Sequence, residues 1–322
     1  MRTQDYFALY SRCRLCPRAC GIDRMSHDGS GSRGFCGQPA RMRVAYVGPH
    51  FGEEPPISGK KGSGTVFFSG CSLRCSFCQN HQISRQGMGR IADAGELICE
   101  IKDMIRLDGV HNVNFVTPDH FFPHIFQLVS ELRKDGLDIP TVYNMSGYQS
   151  VDSLRLACDW ADIYLPDFKY AQSGLAERLS RCGDYPQAAL NAVTEMVNQK
   201  GFLDVGASES LTARKGVLVR HLVLPGHEEN SMDVLTMLFL EFGKELPLSL
   251  MAQYQPVVPQ NDPRLNTALT SRAFSRVCEH AMDLGFEQVF IQDPQTECGG
   301  SPSFLPDFRK ARPFGGRGRD TF

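Results

Sequence analysis

The sequence predicts an α/β protein built on a partial (β/α)6 barrel, preceded by a small, irregular, Cys-rich N-terminal extension. Three observations carry this expectation. From residue 65 onward, short apolar runs alternate with longer amphipathic segments, which is the texture of βαβ units and a parallel sheet. Before residue 63 the chain is rich in Gly, Arg, Cys and Pro and shows little periodicity. Finally, 322 residues with 42% hydrophobic and 22% charged side chains suffice for one large core and a small appendage.

In chain order, the runs predicted as strands are 65–69, 113–117, 140–145, 163–168, 217–224, 248–254 and 288–291. Between them, 93–107 places Leu97, Ile98, Ile101 and Ile105 on one helical face, and 121–132 and 265–284 behave likewise. About six βα units fit residues 65–291, so a complete or partial barrel is expected rather than a two-domain enzyme. The expected organisation is an extension over 1–62, a barrel over 63–295 and a tail over 296–322. Residues 48–64, with recurrent glycines and the pair Pro55-Pro56, read as loop, as does the doublet Gly299-Gly300. The tail carries Arg309, Lys310, Arg312, Arg317 and Arg319 among glycines and is expected to be solvated and mobile.

A formal net charge of −2 offers no broad basic surface, so neither nucleic acid nor a membrane is an expected partner. No run approaches the ~18 apolar residues of a membrane span. The start, Met1-Arg2-Thr3-Gln4-Asp5, lacks the apolar region of a secretory signal, so a cytoplasmic location is expected. No phosphate-binding or dinucleotide-binding glycine fingerprint predicts ATP or NAD.

Seven of the twelve cysteines fall before residue 80, in two tight clusters. In a reducing compartment, clustered thiols point to metal rather than disulfides. Cys99, Cys158, Cys182, Cys278 and Cys298 are scattered and are expected to be small buried hydrophobes. The strongest feature is Ser69-Gly70-Cys71-Ser72-Leu73-Arg74-Cys75-Ser76-Phe77-Cys78-Gln79-Asn80. It follows the first predicted strand, at the end where barrel sites are built. Three soft ligands at C-x3-C-x2-C spacing suit one face of an iron–sulfur cubane and leave one metal position without a protein ligand. Structural zinc wants four ligands, and no neighbouring cysteine or spaced His pair completes such a set. His81 reads as a loop residue lining the site.

This Cys71-x3-Cys75-x2-Cys78 loop, with Phe77 before its last cysteine, resembles the radical S-adenosylmethionine (SAM) superfamily. The resemblance implies a [4Fe–4S] cluster on Cys71, Cys75 and Cys78, with the unligated iron chelating the amino and carboxylate groups of SAM's methionine. Electron transfer would cleave SAM and generate a 5′-deoxyadenosyl radical that abstracts hydrogen. It also implies SAM-binding residues at later strand ends. Asp167 and Lys169 form an Asp-x-Lys like that of glycyl-radical activating enzymes. Asn144 lies in a strand-turn segment, 142–148, like theirs; Arg220 opens an Arg-x4-Pro-Gly match, and Gln253 lies on the last matching strand. Thr117 lies where such enzymes carry a Gly-Gly-Glu-type turn, from which this sequence departs. Nearby, Asp119 is expected to cap the following helix, with Asp119 and His120 facing a substrate as the alternative.

Cys13, Cys16, Cys20 and Cys36, spaced C-x2-C-x3-C-x15-C, are a candidate second metal site. Zinc and a second Fe–S cluster both fit, and free or redox-active thiols are the alternative. This opening followed by the three-cysteine core resembles a subgroup described as pyruvate formate-lyase activating enzyme-like. Glu53 and Glu54, just before the core, are expected to be solvated loop carboxylates. The implied activity is hydrogen abstraction by a radical SAM enzyme, with activation of a glycyl-radical enzyme as the leading reading. Modification of a small molecule or cofactor, and a non-catalytic iron–sulfur electron carrier, are the alternatives. The implied partners are an electron donor such as flavodoxin or ferredoxin, and a protein substrate.

Overall fold

The computed structural model describes residues 3–25, 33–204, 212–292 and 305–314. Its strands are β1 (Arg43–His50), β2 (Ser63–Phe68), β3 (Arg90–Ile91), β4 (Val113–Val116), β5 (Thr141–Met145), β6 (Ile163–Pro166), β7 (Gly216–Val217), β8 (Val219–Leu222), β9 (Leu248–Met251) and β10 (Val289–Gln292). Each run predicted as a strand overlaps one, and 217–224 meets both β7 and β8. From β2 through β4, β5, β6 and β7, neighbours pair in parallel, and β8, β9 and β10 form a second parallel set. Only Leu218 separates β7 from β8, and a parallel bridge between Asp167 and Arg220 ties the two sets together. The result is the expected mostly parallel α/β barrel, left open among the described residues between β10 and the β1–β3 edge.

Two features depart from the expectation. β1 pairs antiparallel with β2, so the sheet begins before the three-cysteine core. The stretch expected as loop over 48–64 begins as the end of β1 and returns as β2 after a short helix, Pro55–Ser58, started by two prolines. Proline at the first helical positions has no lost hydrogen bond to regret and a preset φ, which explains a turn of helix in a loop-like composition.

The strands β2, β4, β5 and β6 are buried throughout, as sheets covered on both faces must be. Phe115, Tyr143 and Tyr164 point to the outer layer and pack with helical residues such as Phe122, Phe126 and Val193. Residues alternating with them, Val142, Ile163 and Leu165, point to the concave side and meet Ile57 of the short helix. The 53–58 segment therefore runs inside the curl of the sheet and forms its floor.

The first predicted helix is present as Ala94–Asp108, capped by Asp93 and ended by left-handed Gly109. The last one starts only at Ser271, because Thr270 caps it and Pro263–Asn266 forms a separate turn. The tail corrects another expectation. Phe308 is buried, and its ring and that of Phe314 pack on Phe67, with Phe314 also against Tyr46 and His50. The Phe308 N–H donates to Gln82 Oε1 at 2.8 Å. Within 305–314 the tail is docked on β1 and β2 through Phe308 and Phe314, while Arg309, Lys310 and Arg312 are exposed, as expected of the basic stretch. Gly299-Gly300, Arg317, Arg319 and Cys298 lie outside the described residues. Of the other scattered cysteines, Cys182 and Cys278 are buried as expected, Cys158 is half-buried, and Cys99 is exposed on the outer face of its helix.

Two of the interior histidines illustrate an acid limit to the fold. His221 is wholly buried, with Nδ1 2.6 Å from Phe168 O and Nε2 2.8 Å from Ser231 Oγ. The carbonyl only accepts, so Nδ1 carries the proton and the serine donates to Nε2. His124 Nδ1 lies 2.7 Å from the Tyr10 hydroxyl. Burial pushes both histidines down to about 4. Their unfolded value is near 6.5, so between there and about 4 the unfolded chain binds more protons and stability falls as pH falls. We expect roughly 1.4 kcal/mol per pH unit from each histidine over that window. Urea midpoints for wild type and His221→Gln from pH 7 to 4.5 check this: the variant should show the shallower slope.

Candidate metal and cofactor site

β2 delivers the chain into the three-cysteine loop at its C-terminal end. Gly70 opens the loop in the left-handed region (φ 86°), where a Cβ would sit 2.7 Å from the Cys36 carbonyl oxygen. Arg74 is also left-handed (φ 53°), which turns the backbone between Cys71 and Cys75. Its guanidinium donates to Phe35 O at 3.1 Å and Arg85 O at 3.3 Å, so the bend is tied on both sides. Cys75 is buried, while Cys71 and Cys78 are partly accessible. The Leu73 N–H donates to Cys71 Sγ and the Ser84 hydroxyl to Cys78 Sγ, each at 3.4 Å. Burial pushes the Cys71 and Cys78 thiols above their ordinary range, and the Lys169 ammonium pulls against this at Cys78.

These residues fit an iron–sulfur cubane. The donor set is three soft sulfurs on one short loop, two of them already receiving hydrogen bonds of the kind that tune such clusters. Among the described residues no three His, Cys, Asp or Glu side chains gather as the ligands of a single ion do. A cubane does not require that, because its cysteines bind separate irons.

Four of the six residues expected to hold SAM form one buried network across the strand ends. Lys169 Nζ donates to Asp167 Oδ2 at 2.5 Å, and Arg220 Nε reaches Asp167 Oδ1 at 3.3 Å. Arg220 Nη2 donates to Asn144 Oδ1 at 2.6 Å, and Nη1 to Glu53 Oε2 at 2.7 Å. Glu53 Oε1 accepts from Asn114 Nδ2 at 3.0 Å and from Asn144 Nδ2 at 3.2 Å. Burial alone would raise Asp167, but Lys169 and Arg220 hold its carboxyl below the usual range. Burial opposes the charge on Lys169 and Arg220, yet Asp167 raises both. The turn after β5 is drawn tight against this corner: at Gly147 (φ 79°) a Cβ would lie 2.0 Å from Asp167 O. The Tyr185 hydroxyl donates to Ser146 O at 2.8 Å and accepts from the Lys169 N–H at 2.9 Å, fixing the backbone that carries the Asp-x-Lys pair.

Thr117 and Gln253 stand outside the network. Thr117 is left-handed (φ 58°), an uncommon state for a β-branched residue, and its N–H donates to Asn144 O at 2.8 Å. Gln253 pairs with Gln292 instead.

The floor contributes what the sequence reading missed. Glu53 is central to the network rather than solvated, and Glu54 is wholly buried with neither carboxylate oxygen hydrogen-bonded. Burial raises Glu54, with Arg220 opposing. The signal for this was Pro55-Pro56: two prolines starting a helix fix the direction of the residues before them. Asp119 corrects a second expectation. It caps nothing; the following helix, Phe122–Lys134, has no side-chain cap. Asp119 is buried behind the cysteine loop, accepting from Ser72 Oγ at 2.8 Å, and burial lifts it to about 6 against the pull of Ser72 and Arg24. His120 Nε2 likewise bonds Ser69 O at 2.8 Å, so both residues brace the loop.

The N-terminal cysteines pack on the other side of this brace. Arg18 donates to Ser72 O at 2.7 Å and to Ser180 O at 2.8 Å, and Arg24 donates to His120 O at 2.6 Å. Cys13 is buried, Cys16 and Cys36 are partly accessible, and Cys20 is exposed.

Fold and loop together define an α/β barrel with a three-thiol site at the mouth of its first parallel strand. Residues 65–199 match the family model of the Radical SAM superfamily, so the chain carries a radical SAM domain. The family implies a [4Fe–4S] cluster and SAM. The chain is 28% identical to uncharacterized protein MJ0674 of Methanocaldococcus jannaschii over 88% of its own length and 78% of that protein's. Among solved structures, it resembles Streptococcus suis SuiB bound to S-adenosylmethionine, at a TM-score of 0.47 and 10% identity. That match covers 69% of this chain and only 48% of SuiB, about half its length. Methylornithine synthase (PylB) matches at a TM-score of 0.45 and 16% identity, over 78% of this chain and 77% of that one. Among the described residues no helix is long and apolar enough to cross a membrane.

Proposed function

We propose that this chain is a radical SAM enzyme that abstracts hydrogen from a carbon of a protein partner, in the manner of a glycyl-radical-enzyme activase. The observation that carries the reading is the meeting of Cys71, Cys75 and Cys78 with the buried Asp167–Lys169–Arg220–Asn144 network at one end of the barrel. When bound, the cluster and SAM supply a reducing electron and a 5′-deoxyadenosyl radical. The chain's own residues do the rest. The three thiolates hold the cluster, and the polar strand ends bind and orient the cofactor: Asp167, Lys169, Asn144 and Arg220, with Thr117 and Gln253 at the margin. The apolar rings of Phe67, Phe308 and Phe314 keep water from the concave side. Among the described residues β10 does not pair with the β1–β3 edge, and a loop of another protein would enter on that side, past the docked 305–314 tail. The reading includes a one-electron donor of the flavodoxin or ferredoxin type and a cytoplasmic setting, where such donors and free thiols persist.

A second reading, modification of a small molecule, draws on Glu54. A wholly buried carboxyl with no partner at the barrel floor suits a polar group of a small substrate.

The test is anaerobic reconstitution with iron and sulfide, reduction with SAM present, and quantification of 5′-deoxyadenosine. Wild type should form it, and Asp167→Asn should bind SAM roughly 10- to 100-fold more weakly, the worth of one hydrogen bond to a charged group. A well-filled, reducible cluster with neither SAM binding nor cleavage would favour an electron carrier. A radical EPR signal that appears on a glycyl-radical enzyme only in the presence of active chain separates the protein-substrate reading from the small-molecule one.

A further inference from the structure

We infer that Arg18 and Asp119 are positioning residues that set the reduction potential of a cluster on Cys71, Cys75 and Cys78, in opposite directions, through the Ser72–Leu73 peptide. This role requires that cluster but no particular substrate. The Leu73 N–H donates to Cys71 Sγ at 3.4 Å. In a trans peptide the carbonyl points away from the N–H, and the carbonyl of this unit, Ser72 O, accepts from Arg18 Nε at 2.7 Å. Arg18 therefore holds the peptide in the orientation that aims its N–H at the sulfur. The Ser72 hydroxyl donates in turn to Asp119 Oδ2 at 2.8 Å. A residue lying between two of the cluster ligands is thus fixed by its main chain and its side chain at once.

Both clamps are themselves anchored. Arg18 donates from Nη2 to Ser180 O at 2.8 Å and from Nη1 to Arg181 O at 2.9 Å, and its guanidinium lies 3.4 Å over the Phe35 ring. Those carbonyls end the helix Ser173–Ser180, where carbonyls lack partners within the helix, and the one before them, Leu179 O, accepts from the Ser76 N–H at 2.8 Å. All three Arg18 nitrogens meet carbonyls, so a permanent positive charge stands beside the loop without a carboxylate among its hydrogen-bond partners. Asp119 is wholly buried, so water screens its charge little. Burial, and after it the Asp119 carboxylate, push the Cys71 thiol up, as a negative charge felt at that sulfur must. Net charge and hydrogen bonds to the sulfurs set the potential of an iron–sulfur cluster. Arg18 makes an added electron easier to hold on both counts, and Asp119 makes it harder.

Redox titration of the full chain tests the inference. The chain is reconstituted anaerobically with iron and sulfide, without SAM, at about pH 8, where Asp119, lifted to about 6, is ionised. The midpoint is read from the EPR signal that Cys75→Ala removes. Arg18→Gln should lower it: the ratio of reduced to oxidised cluster at the wild-type midpoint should fall roughly tenfold, ~59 mV for one electron. Asp119→Asn, which keeps an acceptor for Ser72 but no charge, should raise it. Mere loosening of the loop would move both variants the same way. Unchanged midpoints, or shifts of the same sign, overturn the inference. Should Arg18→Gln fail to fold, Arg18→Lys decides. A point charge cannot replace a fork held on three carbonyls, so the midpoint should still fall, and a wild-type midpoint overturns the inference. Opposite shifts in a chain that cleaves no SAM keep this assignment and remove the enzyme reading. SAM cleavage with unmoved midpoints does the reverse.

Discussion

Cys75→Ala is expected to abolish both the three-cysteine cluster and all 5′-deoxyadenosine formation. Cys75 is the buried member of the set, on the stretch where left-handed Arg74 turns the loop, so nothing from solvent can take its place. Two thiols cannot hold a cubane that already lacks a fourth protein ligand. Changing only the partners of metal ligands typically costs 10- to 100-fold, so loss of a ligand should exceed about 100-fold. The side chain nearest in character is Cys182, which is buried and within electrostatic reach of Cys75. Its neighbour in the structure is Ala176 O at 3.8 Å, on a different helix from the loop. Cys182→Ala should therefore leave cluster content and cleavage near wild type. Visible absorption near the iron–sulfur charge-transfer bands, iron content and product yield measure all of this together. Equal loss in both variants would mean that the ligand set is misassigned.

The contrast between the two cysteines shows which parts of the site the sequence revealed. A ligand loop is local: spacing, a preceding apolar run and the soft sulfur donors lie within about ten residues, and the strand that feeds them has a period that composition betrays. Asn144, Asp167 and Arg220 were reached through the resemblance to activating enzymes, and the parallel order of β5 and β6 brings Asn144 and Asp167 to one rim. Glu53 was not. Its partners, Asn114, Asn144 and Arg220, are 61, 91 and 167 residues away, and only the closure of the sheet brings them together. Gly, Pro and charge around it compose a surface loop by every local measure. Asp119 failed in the opposite direction. It stands just before a helix, as a cap does, but a 3-10 turn over Asp119–Phe121 intervenes and buries it behind the cysteine loop. The β1 strand was hidden by the glycine and proline at its end, Gly48-Pro49, which mark its exit rather than its absence.

The largest cost to stability is expected at Arg220. Its side chain is 12% exposed, and it faces Glu53 at 7% and Asp167 at 15%, so little water reaches the group. Within it Asp167 pairs with Lys169 and Arg220, and Glu53 pairs with Arg220. Arg220→Met fills similar volume but leaves a buried carboxylate without its cation and strips Asn144 Oδ1 of its donor. Removing one partner of a buried pair usually costs 3–5 kcal/mol, so roughly that loss is expected in urea denaturation near pH 7. The loss should depend on pH, and the sign follows from Asp167. Its folded value is depressed, so its pairing stabilises the fold above the unfolded value near 3.9 and is lost as pH falls through the folded one. The difference between wild type and variant should therefore be widest at neutral pH and narrow below about pH 4. Adding Glu53→Gln to Arg220→Met removes the stranded charge and should recover about half of the loss, since neutral amide contacts to Asn114 and Asn144 remain possible. Recovery would show that the cost was the unpaired carboxylate. A double variant as unstable as the single one would show that the arginine acts through packing of its stem, and the network would then be a consequence of the barrel's shape rather than one of its supports.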